Sequence, residues 1–460
     1  MEMMTTLLAY AVALGVLVVL HELGHFAVAR ANGVKVLRFS VGFGRPLWKR
    51  EFGRDRTEWV LAAIPLGGFV KMLDERETEG APIPEADLPR AFNRQALWRR
   101  TLIVLAGPVA NLVFAVLAYT VIGMVATAEV RPILGSAAAG TPAASAGVKN
   151  GDLVVSLGGS PVHSWGDMSL LLIKEGLDKK DLVMTVKGED GVVRELTLDF
   201  SQIPSREVGE AWFAATGLGF HEVDPVVGEV TPGTPAARSG LQPGDLLVSI
   251  DGHPVRVGAE VSSLVRASQG RPMAVVIERG GQRREISLAA EPMPDPKGGE
   301  SHYRIGIAFP RDTGAIAEVH LGPVEAFTRA FARTRDTAEL TLRIFGRMIV
   351  GRSSWSNISG PVRIAGIAGE SARMGYIAYL EFLAFVSISL GVLNLLPVPV
   401  LDGGHLLYYA VEFATGHPPS VRLLDIGQRV GIALIIGLTV LALYNDFTGV
   451  VIAYLTRLLS

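Results

Sequence analysis

Four apolar stretches near the two ends of this 460-residue chain constrain its fold more than anything else in it. Met3 to Ala29 carries only His21, Glu22 and His25 as ionisable residues, Thr101 to Ala128 is 28 residues without a charge, and Phe382 to Leu401 is 20. Val430 to Asn445 adds a run of 16, and apolar character resumes beyond Asp446. About 20 apolar residues span a bilayer as a helix. The first three stretches therefore predict membrane-crossing helices, and the fourth a tilted or interrupted one. The first is read as a span and not as a cleaved leader, because Met1-Glu2-Met3-Met4 lacks a basic start. Hydrophobic residues make up 49% and charged residues 19%, against about 25% charged in soluble domains. That balance fits spans joined to water-exposed domains. A net charge of -2 gives no global argument for nucleic-acid binding. Cysteine is absent, which excludes thiol nucleophiles, disulfide scaffolds and cysteine-ligated zinc. A bound metal must be held by His, Asp or Glu.

Lysine and arginine set the expected orientation. Residues 27–100 hold 14 of them against nine acidic residues, so this loop is expected in the cytoplasm. The N-terminus, the long 129–380 stretch and the C-terminus then lie outside. The expected order is a span over 1–30, a cytoplasmic loop over 31–98 and a second span over 99–127. Outer segments follow at 128–222, 223–310 and 311–375. A third span over 376–401, a cytoplasmic loop over 402–428 and a fourth span over 429–456 complete it.

The outer segment contains a duplication. Thr141-Pro-Ala-Ala-Ser-Ala-Gly-Val-Lys-Asn-Gly-Asp152 aligns without a gap to Thr234-Pro-Ala-Ala-Arg-Ser-Gly-Leu-Gln-Pro-Gly-Asp245. Each copy runs into a strand-like segment, Leu153–Leu157 or Leu246–Ile250, and then into a turn followed by Pro-Val. A spacing this long marks a duplicated domain and not a solenoid unit. The pattern resembles circularly permuted bacterial PDZ domains, which take up a peptide as an added strand. Two structural β-domains without a ligand are the plainer alternative. Residues 311–350 mix apolar side chains with Arg329, Arg333, Arg335, Arg343 and Arg347, an amphipathic helical pattern suited to a membrane surface or a solvated connector.

Within the first span, His21-Glu22-Leu23-Gly24-His25 is an H-E-x-x-H motif. On a helix the two histidines share a face and can grip one metal ion, while Glu22 can act as general base. Ionisable residues inside an apolar span are costly and functional by default. Catalytic zinc needs a third protein ligand and one open position. The end of the third span offers one in Asn394-Leu-Leu-Pro397-Val-Pro399-Val-Leu-Asp402-Gly403-Gly404. Pro397 and Pro399 cannot continue a regular helix, broken backbone at membrane depth needs protein or a wet cavity beside it, and Asp402 follows directly. Asn394 could hold substrate backbone or an oxyanion, or serve as helix–helix glue. His405 is read as an interfacial residue.

Taken together, these residues resemble the site-2 protease family of intramembrane zinc metalloproteases. Three motifs carry the likeness: His21-Glu22-Leu-Gly-His25, Gly107-Pro108-Val-Ala-Asn111 and Asn394-Leu-Leu-Pro397-Val-Pro399-Val-Leu-Asp402-Gly403. The implied fold is a multi-pass helical membrane protein with four spans, two β-rich PDZ-like outer domains and a membrane-associated β-hairpin. The resemblance implies one Zn2+ per chain on His21, His25 and Asp402, with Glu22 as catalytic base. It implies substrate contact by Asn394, Pro397 and Pro399, and a core lined by Gly107, Pro108 and Asn111. It further implies a membrane-reentrant hairpin, expected at about 57–73 with its turn at Gly67-Gly68, whose edge pairs with an unwound substrate through Gly67, Gly68 and Phe69. The expected reaction is peptide-bond hydrolysis within or beside the membrane segment of a single-span protein. The implied substrate is of anti-sigma-factor type, cut in an envelope stress response, with remnant signal peptides as a second class. The expected setting is a monomer in a bacterial inner membrane, with the PDZ-like domains and both termini periplasmic. A non-catalytic peptide-binding scaffold and a metal transporter are the competing classes. Three visible ligands where a structural zinc takes four, together with the presence of Glu22, weigh against the scaffold.

Overall fold

The computed structural model describes residues 2–77, 83–125, 127–176, 181–201, 203, 210–221, 225–255, 257–293, 302–309 and 316–459. The chain divides into two compact units. One is built from its ends, chiefly Met1–Thr127 and Val319–Ser460, and the other from its middle, Ala128–Pro204 and Gly209–Glu318.

The first unit opens with helix α1, Glu2–Ala31. Two long strands follow, β1 at Val36–Phe52 and β2 at Thr57–Met72, and then helix α2 at Leu97–Met124. Small residues let α1 and α2 touch backbone to backbone. A Cβ added at Gly24 would lie 2.3 Å from the Ala106 carbonyl oxygen. The hairpin departs from expectation. It turns at Gly53–Arg56, where both residues have positive φ, and Gly67-Gly68 lies inside β2. The register shows why the strands are so long. Val41 pairs with Gly68 and Ser40 with Phe69, an antiparallel run, while Arg38 pairs with Glu58 and Val41 with Leu61, numbers that rise together and so run parallel. Residues 46–52 in turn pair antiparallel with 57–62. Each strand therefore bends and contributes twice, giving the order 46–52, 57–62, 36–41, 68–72. Gly42 and Gly44, at φ 90° and 86°, make the bend in β1; Gly67, at φ 116°, kinks β2 under the Phe43 ring. Gly-Gly reads as a turn in sequence, but here it serves a kink and a close approach.

The middle unit shows the duplication in three dimensions. In its first half, β3 (Leu153–Leu157), β4 (Ser160–Pro161), helix α3 (Trp165–Gly176), β5 (Asp181–Lys187) and β6 (Val193–Asp199) form a sheet of order β4-β3-β5-β6. In its second, β7 (Leu246–Ile250), β8 (His253–Pro254), helix α4 (Gly258–Ala267), β9 (Pro272–Arg279) and β10 (Gln282–Ala289) repeat it as β8-β7-β9-β10. Alternate strand residues fill each core: Leu157, Met184 and Leu198 in one, Leu247, Val275 and Ile277 in the other. The aspartate that closes each sequence repeat is a buried clamp. Asp152 accepts from the Lys149 N–H and pairs with Arg194, and Asp245 accepts from the Gln242 N–H and pairs with Arg279 at 2.6 Å. Burial works to raise the Asp245 carboxyl, and the Arg279 guanidinium with the Gln242 N–H holds it below the usual carboxylate range. The junction expected near 222–223 and the start of the 311–375 linker lie outside the described residues.

The first unit resumes with helices α5 (Pro323–Ile349) and α6 (Pro361–Met374), the expected amphipathic linker. Helix α7, Tyr376–Asn394, stops before Pro397 and Pro399. The loop expected over 402–428 is instead largely helix α8, Asp402–Thr415, which ends where Gly416 takes a left-handed φ of 74°. Helix α9 starts at Val421, earlier than expected, and runs to Leu459. Among the described residues, four helices are long and apolar enough to cross a membrane: Met3–Ala31, Leu97–Met124, Tyr376–Asn394 and Val421–Thr448.

Candidate metal centre

Two turns of α1 and the first residue of α8 build the site. His21 and His25 stand one turn apart, with their Nε2 atoms 3.2 Å from each other. Asp402 Oδ2 lies 3.1 Å from His21 Nε2 and 3.5 Å from His25 Nε2. Both histidines are buried. Asp402 opens α8, so its carboxylate sits at the positive end of that helix.

Helix α2 shapes the other side. His25 Nδ1 donates to the Ile103 carbonyl oxygen at 2.8 Å, which leaves Nε2 without a proton in the neutral ring. The Asn111 carboxamide lies 3.1 Å from His21 Nδ1. Nδ2 is the atom that faces the ring and the buried Oδ1 has no partner among the described residues; turning the amide over lets Oδ1 accept from Nδ1 and leaves His21 Nε2 bare as well. Asn111 is wholly buried, and its backbone carbonyl oxygen accepts from Ser387 Oγ at 2.9 Å. Gly107 makes the room. A Cβ there would meet His25 Nε2 at 2.3 Å and His21 Cε1 at 2.8 Å.

This arrangement fits a metal. Two bare imidazole nitrogens and a carboxylate oxygen all carry lone pairs, and they converge with their ligating atoms within 4.8 Å of one another. Asp402 Oδ2 is buried and, among the described residues, accepts no hydrogen bond from a protein donor. Such a cluster is repulsive unless a cation sits among it. Two nitrogens and one oxygen suit zinc, with a fourth position open for water.

Glu22 stands between this cluster and the sheet. A Cβ on Gly68 would come within 3.1 Å of Glu22 Cγ. Gly68 is thus brought to the site, whereas Gly67 and Phe69 meet Phe43, whose ring stacks with that of Phe69 at 6.2 Å. Asn394 is half-buried at the last residue of α7. Pro397 and Pro399 lie in the break that follows, where the Leu401 N–H closes a turn on the Val398 oxygen at 3.1 Å. Gly403 and Gly404 lie in the first turn of α8, where a Cβ would strike the carbonyl oxygens of Leu396 at 2.1 Å and Val398 at 2.5 Å. They let α8 press against the break; neither has a positive φ. His405 is exposed and turns edge-on to Tyr408.

Sequence reasoning missed what Gly107 and Asn111 do. The signal was present: they are four residues apart on α2, the same spacing as His21 and His25 on α1. Two helices in contact can match such pairs, Gly107 to His25 and Asn111 to His21.

The profile described as Peptidase family M50 matches residues 9–438. A protein of Ralstonia nicotianae named "Putative zinc metalloprotease RSc1411" is 41% identical over 464 residues, covering 98% of this chain and 100% of that one. The regulator of sigma-E protease RseP of Escherichia coli is 37% identical over 449 residues, covering 96% and 98%. The regulator of sigma E protease of Salmonella typhi is 37% identical over 458 residues, covering 97% and 99%.

Proposed function

The chain belongs to peptidase family M50 and is a membrane-bound peptidase by that membership, and from this premise we propose how it works and on what. His21, His25 and Asp402 hold one Zn2+. The observation that carries the reading is the convergence of their lone pairs within 4.8 Å among apolar helices, with Glu22 alongside. When bound, zinc polarises the scissile carbonyl and acidifies water. Glu22 takes the proton of the attacking water and returns it to the leaving amine. Asn394, Pro397 and Pro399 line the substrate's path at the broken end of α7.

A helical substrate keeps its carbonyls bonded internally and must unwind to be cut. The strand 68–72 pairs on one side only among the described residues, with 36–41. An extended segment added to its other side is held beside Glu22, because Gly68 puts no side chain between. Gly67 and Phe69 shape that edge through Phe43. The substrate is a single-span membrane protein of the anti-sigma-factor type, cut in an envelope stress response, with remnant signal peptides as a second class. The names of the sigma-E protease relatives support this class. The duplicated middle domains act as PDZ domains that exclude untrimmed substrates. The enzyme works as a monomer in the inner membrane, with those domains and both termini periplasmic.

The test is Glu22→Gln in the purified full-length protein with a single-span model substrate. Zinc content stays at one per chain and cleavage falls by at least about 100-fold. Undiminished cleavage removes Glu22 as the base.

A further inference from the structure

A second carboxylate of α8 lies ten residues along the helix from Asp402. Glu412 forms a two-pronged pair with Arg100 at the start of α2: Nη2 to Oε1 at 2.6 Å and Nη1 to Oε2 at 3.2 Å. The pair is enclosed, with side chains 10% and 16% exposed. Arg100 Nε also donates to the Gln95 carbonyl oxygen at 3.1 Å, and its guanidinium lies over the Tyr409 ring at 5.1 Å. Burial pushes the Tyr409 phenol up to about 12. In such surroundings a two-pronged pair strongly resists separation.

The loop before Asp402 is strained. Val400, a β-branched residue, has φ 88°, and it follows Pro399 in the turn closed from Leu401 to Val398. That position favours glycine, and valine there is strained. Strain persists only where the surroundings enforce it. On the far side of Asp402 the enforcing element is α8, a rigid rod of about 1.5 Å per residue. Its other end is tied to α2 by Arg100. Helix α2 also carries Ile103, Gly107 and Asn111, which set the two histidines. One helix thus references all three ligating groups, two by direct contact and the third through a tether about 15 Å away.

We propose that Arg100 and Glu412 are positioning residues for the metal centre, acting through α8 to hold Asp402 against His21 and His25. The inference rests on the zinc reading given above. Its test is Zn2+ affinity, measured by competition with a chelator on the full chain. The variants are Arg100→Met, Glu412→Leu, the double variant, and Arg100→Lys. Each of the first two single variants weakens Zn2+ binding by about 10-fold or more, the range found for groups that orient metal ligands. The double variant loses no more than the worse single, since the two act as a unit. Arg100→Lys, which keeps the charge but not the fork, falls between, and it carries the test if an apolar variant fails to fold. The thermal midpoint of the zinc-free protein separates positioning from bulk stability: positioning predicts a loss of affinity out of proportion to any change there. Folded variants that hold Zn2+ as tightly as the parent overturn the proposal and leave the zinc reading intact. A parent protein that holds no Zn2+ overturns both.

Discussion

Gly107 decides whether two imidazoles and a carboxylate can share one point. It lies within α2 with ordinary helical φ, so alanine is acceptable to the backbone and even favoured there by about 1 kcal/mol. Only the space forbids it, since the new Cβ would sit 2.3 Å from His25 Nε2. Gly107→Ala is therefore expected to displace the buried imidazoles, so that Zn2+ affinity falls about 10-fold or more, while in the zinc-free fold the helix gain is offset by an overpacking cost of about 1–3 kcal/mol. Chelator competition and a thermal melt of the metal-free protein measure the two separately. A variant that loses stability but keeps its affinity contradicts this account. The contrast with His21, Glu22 and His25 shows what sequence can carry at this scale. Two histidines at i and i+4 with a glutamate beside the first, all inside an apolar span, form a pattern that is legible in the sequence. A glycine in a helix is bland in sequence, and its role exists only in the gap between two helices.

At the scale of the element, Asp446 shows how a polar residue in an apolar helix can be structural. From α9 it accepts the backbone N–H of Gly360 at 2.9 Å, Val362 at 2.9 Å and Arg363 at 3.2 Å, and so caps α6 from another part of the chain. Gly360 is needed for this approach, since a Cβ would fall 2.4 Å from Asp446 Oδ2. Its neighbour Asn445 donates to the carbonyl oxygens of Trp355 and Ile358. Asp446→Ala strands three donors at the start of α6, a cost of about 1–3 kcal/mol. The thermal midpoint should drop, and the 351–375 segment should become the first site of proteolysis. Unchanged protection there refutes the cap. The sequence read Asp446 only as an interruption of the fourth apolar run, because a cap supplied from 86 residues away leaves no local pattern. The same limit explains the hairpin. Alternation of apolar residues in β1 and β2 is broken by bends, and the pairing of 36–41 with both 57–61 and 68–72 is a long-range register that no single run encodes. It also explains α8, whose glycines look like a turn and are instead a helix face pressed to carbonyl oxygens.

At the scale of the whole molecule, the duplication and the four apolar helices were legible because each is written as a pattern many residues long. Orientation rests on a different kind of signal, the excess of 14 basic over nine acidic residues between 27 and 100. One of those cations, Arg100, is committed to Glu412, which leaves 14 less one, or 13, still well above nine. The absence of cysteine makes the orientation testable with single labels. Gln242 is exposed in the turn before β7, and its backbone N–H, not its side chain, serves the Asp245 clamp. His417 is exposed between α8 and α9. In intact cells with a permeable outer membrane, Gln242→Cys should react at once with a membrane-impermeant maleimide. His417→Cys should react only after the inner membrane is opened. The two positions are separated by α7, a single crossing, so they must give opposite answers in either orientation. If both react from outside, α7 does not span. If the pattern is reversed, the charge rule has been overridden and the proposed peptidase site opens toward the other face.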